Sequence, residues 1–320
     1  MPTDRRQKLL IIVGPTASGK SDLAVALAEN YDGEIISADS RQVYRGLDIG
    51  TGKITSAEMR GVRHYALDIA DAADSRRRFT VADWKRAAES AISDISSRGK
   101  LPIVCGGTGF YVQALANNRE YPDIDVDPDE QSMLESEPSE NLLAELRRLD
   151  PRRAASMQTP SEAANRRHLA RAILIARELG AVPAIDPADG SRSDRYDILL
   201  IGIRIPDDEL KERIRRRLEA RLDGGMIDEA RRLHEDQPRG IGLSYERMNN
   251  LGLEYRYLAK FLRGEIPRER LTEILATKIW QYARRQKTWF KRDPRINWFA
   301  PTDLSAIRQS IETWLHSSAD

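Results

Sequence analysis

The sequence predicts an α/β fold in which a core with a parallel sheet carries a helical insertion and a helical C-terminal part. Three features indicate this class. An apolar run at 9–13, typical of a buried strand, leads into a glycine-rich loop and then into a helix with one apolar face. A predicted strand at 34–38 and an apolar run at 101–105 also end in polar or glycine-rich turns, as strands of such a core do. The last third of the chain has mainly helical patterning.

The first loop has the pattern G-x-x-x-x-G-K-[ST] of a P-loop, and it stands between a predicted strand and a predicted helix, as that motif requires. Glycines there let successive backbone N–H groups and the helix N-terminus point at one anion. Lys20 adds a positive charge, and the Ser21 hydroxyl can hold Mg²⁺. The residues predicted to bind a diphosphate or triphosphate are Gly14, Thr16, Ala17, Ser18, Gly19, Lys20 and Ser21. The core is therefore a P-loop nucleotide fold whose chemistry the loop leaves open.

The second strand, predicted at 34–38, delivers Asp39 and a polar run at 40–44 to the sheet edge that carries the P-loop. A carboxylate there can hold Mg²⁺ indirectly, orient a hydroxyl or act as a general base toward an acceptor. Asp39 can also simply cap the turn that follows, as Asp often does. The glycine-rich stretch 46–53 is expected to be a mobile loop over the same edge.

Further along the chain, helix and strand patterns alternate. The predicted elements are a helix at 80–97, a strand at 101–105, a glycine turn at 106–109, helices at 139–149 and 160–179, and a strand at 196–203. Because the strand at 196–203 follows an acidic and then helical segment, that segment is predicted to be an insertion into the core. We predict a core formed by 1–116 and 195–320 and a helical insertion at 117–194.

The C-terminal part is predicted to contain helices at 207–222, 226–235, 246–262 and 268–291, a short strand at 296–299 and a helix at 302–315. Arginines at 213–221 form a stripe whose guanidinium forks suit phosphate oxygens, although nearby glutamates could pair with several of them. The stretch 278–292 interleaves basic and aromatic side chains, which fits a nucleic-acid surface. It also fits an ordinary amphipathic helix whose core set is Trp280, Ala283, Lys287 and Phe290; we expect some aromatics buried and the arginines exposed.

The composition argues against a disulfide-bonded, a zinc-binding or a membrane-spanning protein. With 320 residues, 40% of them hydrophobic, the chain can bury a substantial core and is long enough for about two domains. Its net charge of +1 hides an acidic stretch at 120–145 and a basic one at 278–295. Cys105 is the only cysteine, so no disulfide within the chain and no zinc site are expected. No apolar run approaches the roughly 20 residues that span a bilayer; we expect a cytoplasmic protein without a signal peptide or membrane partner.

Several motifs occur in collinear order. They are Gly-Pro-Thr-Ala-Ser-Gly-Lys-Ser at 14–21, Asp-Ser-Arg-Gln-Val-Tyr at 39–44, Asp-Ile-Gly-Thr-Gly-Lys at 48–53, Gly-Gly-Thr-Gly-Phe-Tyr at 106–111, Asn-Arg-Arg at 165–167 and Tyr-Ala-Arg-Arg-Gln-Lys-Thr-Trp-Phe at 282–290. Together they closely resemble the tRNA dimethylallyltransferases, over about 9–299. Enzymes of this family transfer a dimethylallyl group from its diphosphate to the exocyclic amine of the adenosine just 3′ of the anticodon.

The resemblance implies roles for individual residues. The P-loop would hold the leaving diphosphate, with Lys20 and a Mg²⁺ on Ser21 neutralising charge as the carbon–oxygen bond breaks. Asp39 would be the general base toward the adenine amine, and Arg217 would grip the diphosphate from its far side. Thr108 would line the channel where a flipped adenine meets the prenyl donor. The residues predicted to contact tRNA, at its anticodon stem-loop, are Asp39, Ser40, Arg41, Gln42, Thr108, Arg167, Arg171, Arg284, Arg285 and Lys287.

The sequence departs from the family's usual pattern in places. Gly52 stands where Ala is usual, Ile54 where Pro is usual, and Gln131 where an arginine for the tRNA backbone is expected. The segment 242–256 replaces the usual Gly-Tyr segment, so recognition of the anticodon arm is expected to differ locally.

Two other functions share part of this pattern. A P-loop small-molecule kinase would have the same first strand, loop and acidic strand end, but it has no need for the basic aromatic helix near Arg284. A non-catalytic RNA-binding P-loop protein would not need Asp39, Thr108 and Lys20 together. The transferase is the leading hypothesis, and we expect a monomer.

Overall fold

The structure is a computed structural model that describes residues 6–74, 79–119, 121, 122, 124, 126–157, 163–183, 195–236 and 242–317. The chain divides into two compact units. The first comprises Met1–Ala73, Asp83–Asn118 and Arg192–Asp320, and the second comprises Asp74–Ala82 and Arg119–Ser191. The predicted end of the insertion, at 194, lies outside the described residues. That the insertion binds tRNA stays a prediction.

The first unit is built on a parallel sheet. The strands found in the described ranges are β1 (Gln7–Val13), β2 (Gly33–Ser37), β3 (His64–Tyr65), β4 (Leu101–Gly106), β5 (Tyr196–Ile203) and β6 (Asn297–Phe299). They form one sheet in the order β3-β2-β4-β1-β5-β6, and every neighbouring pair is parallel. Val13 pairs with Gly106 on one side and with Gly202 on the other, so the carboxyl ends of the central strands meet at one edge. The predicted parallel α/β core is confirmed.

Within the described residues the helices are, in chain order, α1 (Lys20–Asn30), α2 (Ser56–Met59), α3 (Val81–Ser97), α4 (Gly109–Ala116), α5 (Pro128–Ser136), α6 (Ser139–Leu149), α7 (Pro151–Ala155), α8 (Arg166–Leu179), α9 (Asp207–Asp223), α10 (Met226–Glu235), α11 (Tyr245–Leu251), α12 (Leu253–Leu262), α13 (Arg268–Phe290) and α14 (Leu304–His316). The prediction of one continuous helix at 246–262 is wrong. Gly252 separates α11 from α12 with φ 78° and ψ −170°, a conformation that essentially only glycine adopts.

The core explains why the central strands are apolar runs. Both faces of an all-parallel sheet are covered, so the side chains of β1 from Leu9 to Val13 are fully buried. On one face Leu10 and Ile12 belong to the same buried cluster as Leu23 of α1 and Ile311 of α14. This packing holds the first residues of α1 at the carboxyl edge of the sheet.

The second unit contains α5 to α8 and has its own core. Leu142 and Leu146 of α6 pack in one buried cluster with Leu169 and Ile173 of α8. A helix was predicted at 160–179, and the structure has α8 from Arg166 to Leu179. Residues 160–162 lie outside the described residues. Across the ranges that the structure describes, no helix combines the length and apolar character that crossing a membrane requires.

Candidate active site

The P-loop curls tightly between β1 and α1. Ala17 and Gly19 have φ values of 63° and 86°, in the left-handed region. A Cβ on Gly14 would lie 2.8 Å from the Ser18 hydroxyl and 3.4 Å from Ile203, so the loop packs closely there. Ser18 is fully buried behind the loop, and its hydroxyl has no hydrogen-bond partner among the described residues. The first turn of α1 presents backbone N–H groups that a helix leaves without internal partners, which suits an anion.

Lys20 is the cation of this loop. Its Nζ donates to the Pro15 carbonyl at 3.2 Å. Enclosure by the protein lowers the pKa of Lys20 below its ordinary value; Arg217 lowers it further, whereas Cys105 and Asp39 act in the opposite direction. An anion bound beside Lys20 would stabilise the protonated form, so the site favours a ligand with negative charge. Burial raises the pKa of the Cys105 thiol to about 11, and the thiol is therefore neutral at pH 7.

A cavity of about 270 Å³ opens at the carboxyl edge of the sheet, and we call it the edge cavity. Of the predicted site residues, the structure brings together in its lining Thr16, Lys20, Ser21, Asp39, Ser40, Arg41, Gln42, Arg217 and Arg285. A second cavity of about 900 Å³ shares Lys20, Ser21 and Arg217 with the edge cavity and is also lined by Ala17 and Gly19. The P-loop cation and Arg217 thus lie where the two cavities meet.

Asp39 has two structural properties at once. Its Oδ1 accepts hydrogen bonds from the backbone N–H groups of Arg41 at 2.8 Å and Gln42 at 3.4 Å, so it caps the turn after β2. It also lines the edge cavity. Asp39 therefore caps the turn and faces the edge cavity at the same time. Its position in the cavity lining is what would let it reach a substrate.

Thr108 supports this turn from behind. The Thr108 hydroxyl oxygen accepts from the Ser40 N–H at 3.0 Å, and the Thr108 N–H donates to the Ala38 carbonyl at 3.1 Å. Thr108 is not among the residues that line the edge cavity, although Gly106, two residues before it, is. The structure thus places Thr108 next to the predicted substrate-binding turn.

Arg217 is distinguished from its neighbours on α9 by its partner. Its Nη2 donates to the Gly52 carbonyl at 2.8 Å, whereas Arg213 and Arg215 pair with glutamates of their own helix at 2.7 and 3.0 Å. Desolvation by surrounding protein and the charge of Arg221 lower the pKa of Arg217, but a guanidinium remains protonated at neutral pH. Arg215 is exposed, as predicted for a solvated face, whereas Arg213 is half-buried and lines the second cavity. Arg217 lines both cavities.

The basic aromatic helix α13 buries only part of the core set that the amphipathic interpretation gave it, namely Ala283 and Phe290. Its buried residues include Ile279, Ala283, Gln286 and Phe290, so the predicted placement of Trp280 and Lys287 in the core set is wrong: both are only half-buried. A helical repeat that starts one residue earlier, at Ile279, gives the observed buried face. As expected, an aromatic residue, Phe290, is buried.

Gln286 is a site residue that the sequence reasoning missed. It is 6% exposed, its Oε1 accepts from the Thr16 N–H at 2.8 Å, and its Nε2 donates to the Gly107 carbonyl at 2.9 Å. It therefore joins α13 to the P-loop and to the turn after β4. A polar residue in register with the apolar face of a helix was the available signal, because a buried amide must find partners.

Two of the three residues of α13 predicted to contact tRNA form an exposed basic surface. Arg284 and Arg285 are exposed, as predicted, and the Arg285 guanidinium lies 5.8 Å from the centre of the Tyr282 ring. Both arginines line a further cavity together with Trp289. Lys287 is half-buried and forms an ion pair with Asp207, which reduces its availability to a phosphate.

In the second unit, the predicted tRNA-contacting residues lie on α8. Arg167 is exposed and lies 3.8 Å from a Glu135 carboxylate oxygen, and Arg171 donates to the Pro122 carbonyl at 3.5 Å. Gln131, where an arginine was expected, is buried in α5 and donates to Glu135 at 2.6 Å. A buried Gln131 supports its own unit and does not present a side chain for a phosphate.

Two cations and a helix N-terminus around one space suit a diphosphate better than a neutral ligand, and a carboxylate beside them suits proton transfer. The class of protein is therefore a P-loop α/β enzyme that acts on a phosphate compound. Comparison with known families narrows this class. The sequence profile of the IPP transferase family matches residues 42–293 of this chain. The chain therefore belongs to the IPP transferase family.

Individual relatives agree with this membership. The tRNA dimethylallyltransferase of Acidothermus cellulolyticus is 38% identical over 97% of this chain and 95% of its own length. The solved structure of a tRNA delta(2)-isopentenylpyrophosphate transferase from Staphylococcus epidermidis is 34% identical, with a TM-score of 0.67 over 97% of this chain and 99% of that one. A eukaryotic dimethylallyltransferase acting on tRNA is 25% identical, with a TM-score of 0.77 over 96% of this chain and 77% of that one. The family resemblance predicted from the motifs is confirmed, as is the prediction of an enzyme.

Proposed function

We propose that this chain transfers a dimethylallyl group from dimethylallyl diphosphate to N6 of the adenosine 3′-adjacent to the anticodon of tRNA, releasing diphosphate. One observation carries the proposal most strongly. Lys20, Ser21, Asp39 and Arg217 line one cavity, and Arg285 links that cavity to the exposed basic surface of α13. A donor site for a diphosphate and an approach for a nucleic acid therefore adjoin, which a small-molecule kinase would not need.

The diphosphate of the donor would bind at the P-loop between Lys20 and Arg217, since both cations can neutralise the charge that develops on the leaving group. Mg²⁺ fits this site because Ser21 offers a hydroxyl oxygen to the same cavity, and Mg²⁺ prefers oxygen ligands, including those of a phosphate. Among the described residues no group of three or more His, Cys, Asp or Glu could hold a metal by itself. Ser21 and the donor's own oxygens would then hold the ion, which when bound would add positive charge beside the leaving group.

Asp39 would act as the general base. As the adenine nitrogen forms its bond to the allylic carbon, the carbon–oxygen bond of the donor breaks and its electron pair leaves with the diphosphate. The amine proton passes to the Asp39 carboxylate. The adenosine must be flipped out of its stack to reach this position, and exposed Arg284 and Arg285 would hold the neighbouring phosphates. We propose that the enzyme acts as a monomer.

The proposal is tested by incubating the protein with radiolabelled dimethylallyl diphosphate, Mg²⁺ and unmodified tRNA. Label in the tRNA fraction is the expected result, and a tRNA transcript in which the adenosine 3′ of the anticodon is replaced by guanosine serves as the control and should stay unlabelled. Hydrolysis of ATP with no label on tRNA would overturn the proposal in favour of a kinase.

A further inference from the structure

The stretch 46–53, which we call the glycine loop, was expected to be mobile, but the structure anchors it from several sides. The Lys53 ammonium lies 2.6 Å from an Asp48 carboxylate oxygen and 2.5 Å from one of Asp68, and it donates to the Tyr44 carbonyl at 2.9 Å. The Thr51 hydroxyl donates to the Leu47 carbonyl at 2.6 Å. These contacts fix the ends of the loop, and a further residue from outside fixes its middle.

That residue is Glu229 of α10, which is 4% exposed. Its Oε2 accepts from the N–H groups of Asp48 at 3.0 Å and Ile49 at 2.7 Å, and its Oε1 accepts from the Gly50 N–H at 2.9 Å. Three successive backbone N–H groups turned toward one anion form a nest, the arrangement by which proteins hold bound anions. Here the anion is a side chain of the protein, and the nest belongs to the glycine loop.

Tyr255 of α12 completes the set of donors. Its hydroxyl donates to Glu229 Oε1 at 2.6 Å, and burial, followed by the charge of Glu229, keeps the pKa of Tyr255 well above its ordinary value. A Cβ on Gly50 would lie 2.6 Å from the same hydroxyl oxygen, so the loop can approach Tyr255 only with a glycine there. The Glu229 carboxylate thus accepts hydrogen bonds from four neutral donors. Such partners are required because a buried charge without them is costly.

The carbonyl groups of the same loop hold arginines of the diphosphate site. The Gly52 carbonyl accepts from Arg217 Nη2 at 2.8 Å, and the Gly50 carbonyl accepts from Arg221 Nη1 at 3.0 Å. The Ile49 N–H, held by Glu229, shares a peptide plane with the Asp48 carbonyl, and this carbonyl accepts from the Lys53 N–H at 2.9 Å. The Lys53 N–H in turn shares its plane with the Gly52 carbonyl, so Glu229 restrains the peptide that binds Arg217. A Cβ on Gly52 would lie 2.7 Å from Arg217 Nη2, so contact between loop and guanidinium is close on that side as well.

We propose that Glu229 is a positioning residue for the diphosphate site: it sets the register of the glycine loop and thereby holds the Arg217 guanidinium beside Lys20. The inference rests on the proposed function in one respect: it takes the anion bound by Lys20 and Arg217 to be the diphosphate of the donor. Arg217 keeps further N–H groups for the phosphate oxygens while one is used by Gly52. Holding a long side chain in place before the ligand arrives strengthens binding because less freedom is lost on binding.

The test is Glu229→Gln, which keeps the size of the side chain but places an amide N–H₂ against backbone N–H donors. The matched control is Glu235→Gln, an exposed carboxylate on the same helix. For Glu229→Gln we expect the KM for dimethylallyl diphosphate to rise about tenfold or more, the scale of one hydrogen bond to a charged group. The kcat and the Kd for tRNA should stay within about threefold, and amide hydrogen exchange at 48–50 should become faster. Glu235→Gln should match the wild type in all four measurements.

A double-mutant cycle separates positioning from general damage. In an Arg217→Ala background, Glu229→Gln should raise the donor KM by less than about twofold further, because both changes act through one guanidinium. A full tenfold increase in that background, or an unchanged donor KM in the single variant, would overturn the inference while leaving the proposed function intact if the wild type still labels tRNA. If Glu229→Gln does not fold, Tyr255→Phe removes one donor of the same carboxylate and should raise the donor KM in the same direction; an unchanged KM there also overturns it.

Discussion

Asp39→Asn separates the two properties of Asp39. An asparagine keeps a side-chain oxygen where Asp39 Oδ1 accepts from the N–H groups of Arg41 and Gln42, so the turn after β2 is preserved. It cannot accept the proton of an attacking amine. Asp39→Ala, in contrast, removes the proton acceptor and the turn cap together.

The expected magnitudes differ enough to be distinguished. Loss of a general base lowers turnover by about 10²–10⁴-fold, which is about 2.7–5.5 kcal/mol in the activation barrier. Each turn hydrogen bond contributes only about 0.5–1.5 kcal/mol to stability. Asp39→Asn should therefore lose about 10²–10⁴-fold in turnover with an unchanged free energy of unfolding. Asp39→Ala should lose a similar factor in turnover and, for its two turn hydrogen bonds, about 1–3 kcal/mol in stability.

The assay is single-turnover transfer of label to tRNA, with donor and tRNA binding measured separately and stability measured by urea unfolding. A control is available in Asp71, whose Oδ1 accepts from the Ala73 N–H at 2.8 Å in a comparable turn outside the edge cavity. Asp71→Asn should retain wild-type turnover. An Asp39→Asn enzyme with more than about a tenth of wild-type turnover would show that Asp39 only shapes the turn and is not the base.

Three further predictions concern other parts of the site. Arg285→Ala should weaken tRNA binding and reduce the slope of log K against log salt by about 1, whereas Arg270→Ala, an exposed arginine on the same helix, should not. Because the pKa of Lys20 is lowered in the free protein and a bound diphosphate raises it, donor binding should take up protons increasingly as pH rises through the alkaline range, measured by calorimetry in buffers of different ionisation enthalpy. Gln286→Met should cost about 2 kcal/mol in urea unfolding, because it leaves the Thr16 N–H and the Gly107 carbonyl without their partner.

Each of these predictions has a clear contrary result. An identical salt slope for Arg285→Ala would make α13 a purely structural helix. Donor binding whose heat does not depend on the buffer would show that Lys20 is already fully protonated. Wild-type stability of Gln286→Met would mean that the two backbone groups find other partners.

The local part of the site could be predicted from the sequence, because a short stretch encodes it. β1, the P-loop and α1 follow from an apolar run, a glycine pattern and a helical period that adjoin in the chain. The division of 246–262 could not be predicted, since the helical pattern continues through Gly252 and a single glycine is often tolerated in a helix. Of the core set that the amphipathic interpretation gave α13, Ala283 and Phe290 are buried but Trp280 and Lys287 are not, because the pattern of apolar residues fits two neighbouring faces of the helix.

Contacts between distant parts of the chain were beyond sequence reasoning. Gln286 meets Thr16 across 270 positions, and Glu229 meets the glycine loop across about 180. Nothing local distinguishes Glu229 from the other glutamates of an amphipathic helix. The family resemblance singled out Arg217 among its neighbours, but only the folded chain shows that Gly52 is its partner.

The sequence by itself determined the class of the protein, its P-loop and its family, because those depend on residue types at short, fixed spacings. The tertiary structure alone decided which carboxylate shapes the glycine loop, which amide joins α13 to the P-loop, and that Asp39 both caps a turn and faces the cavity. The physical reason is that a buried polar group takes whichever partner the fold brings within about 3 Å. Folding, not sequence proximity, selects that partner.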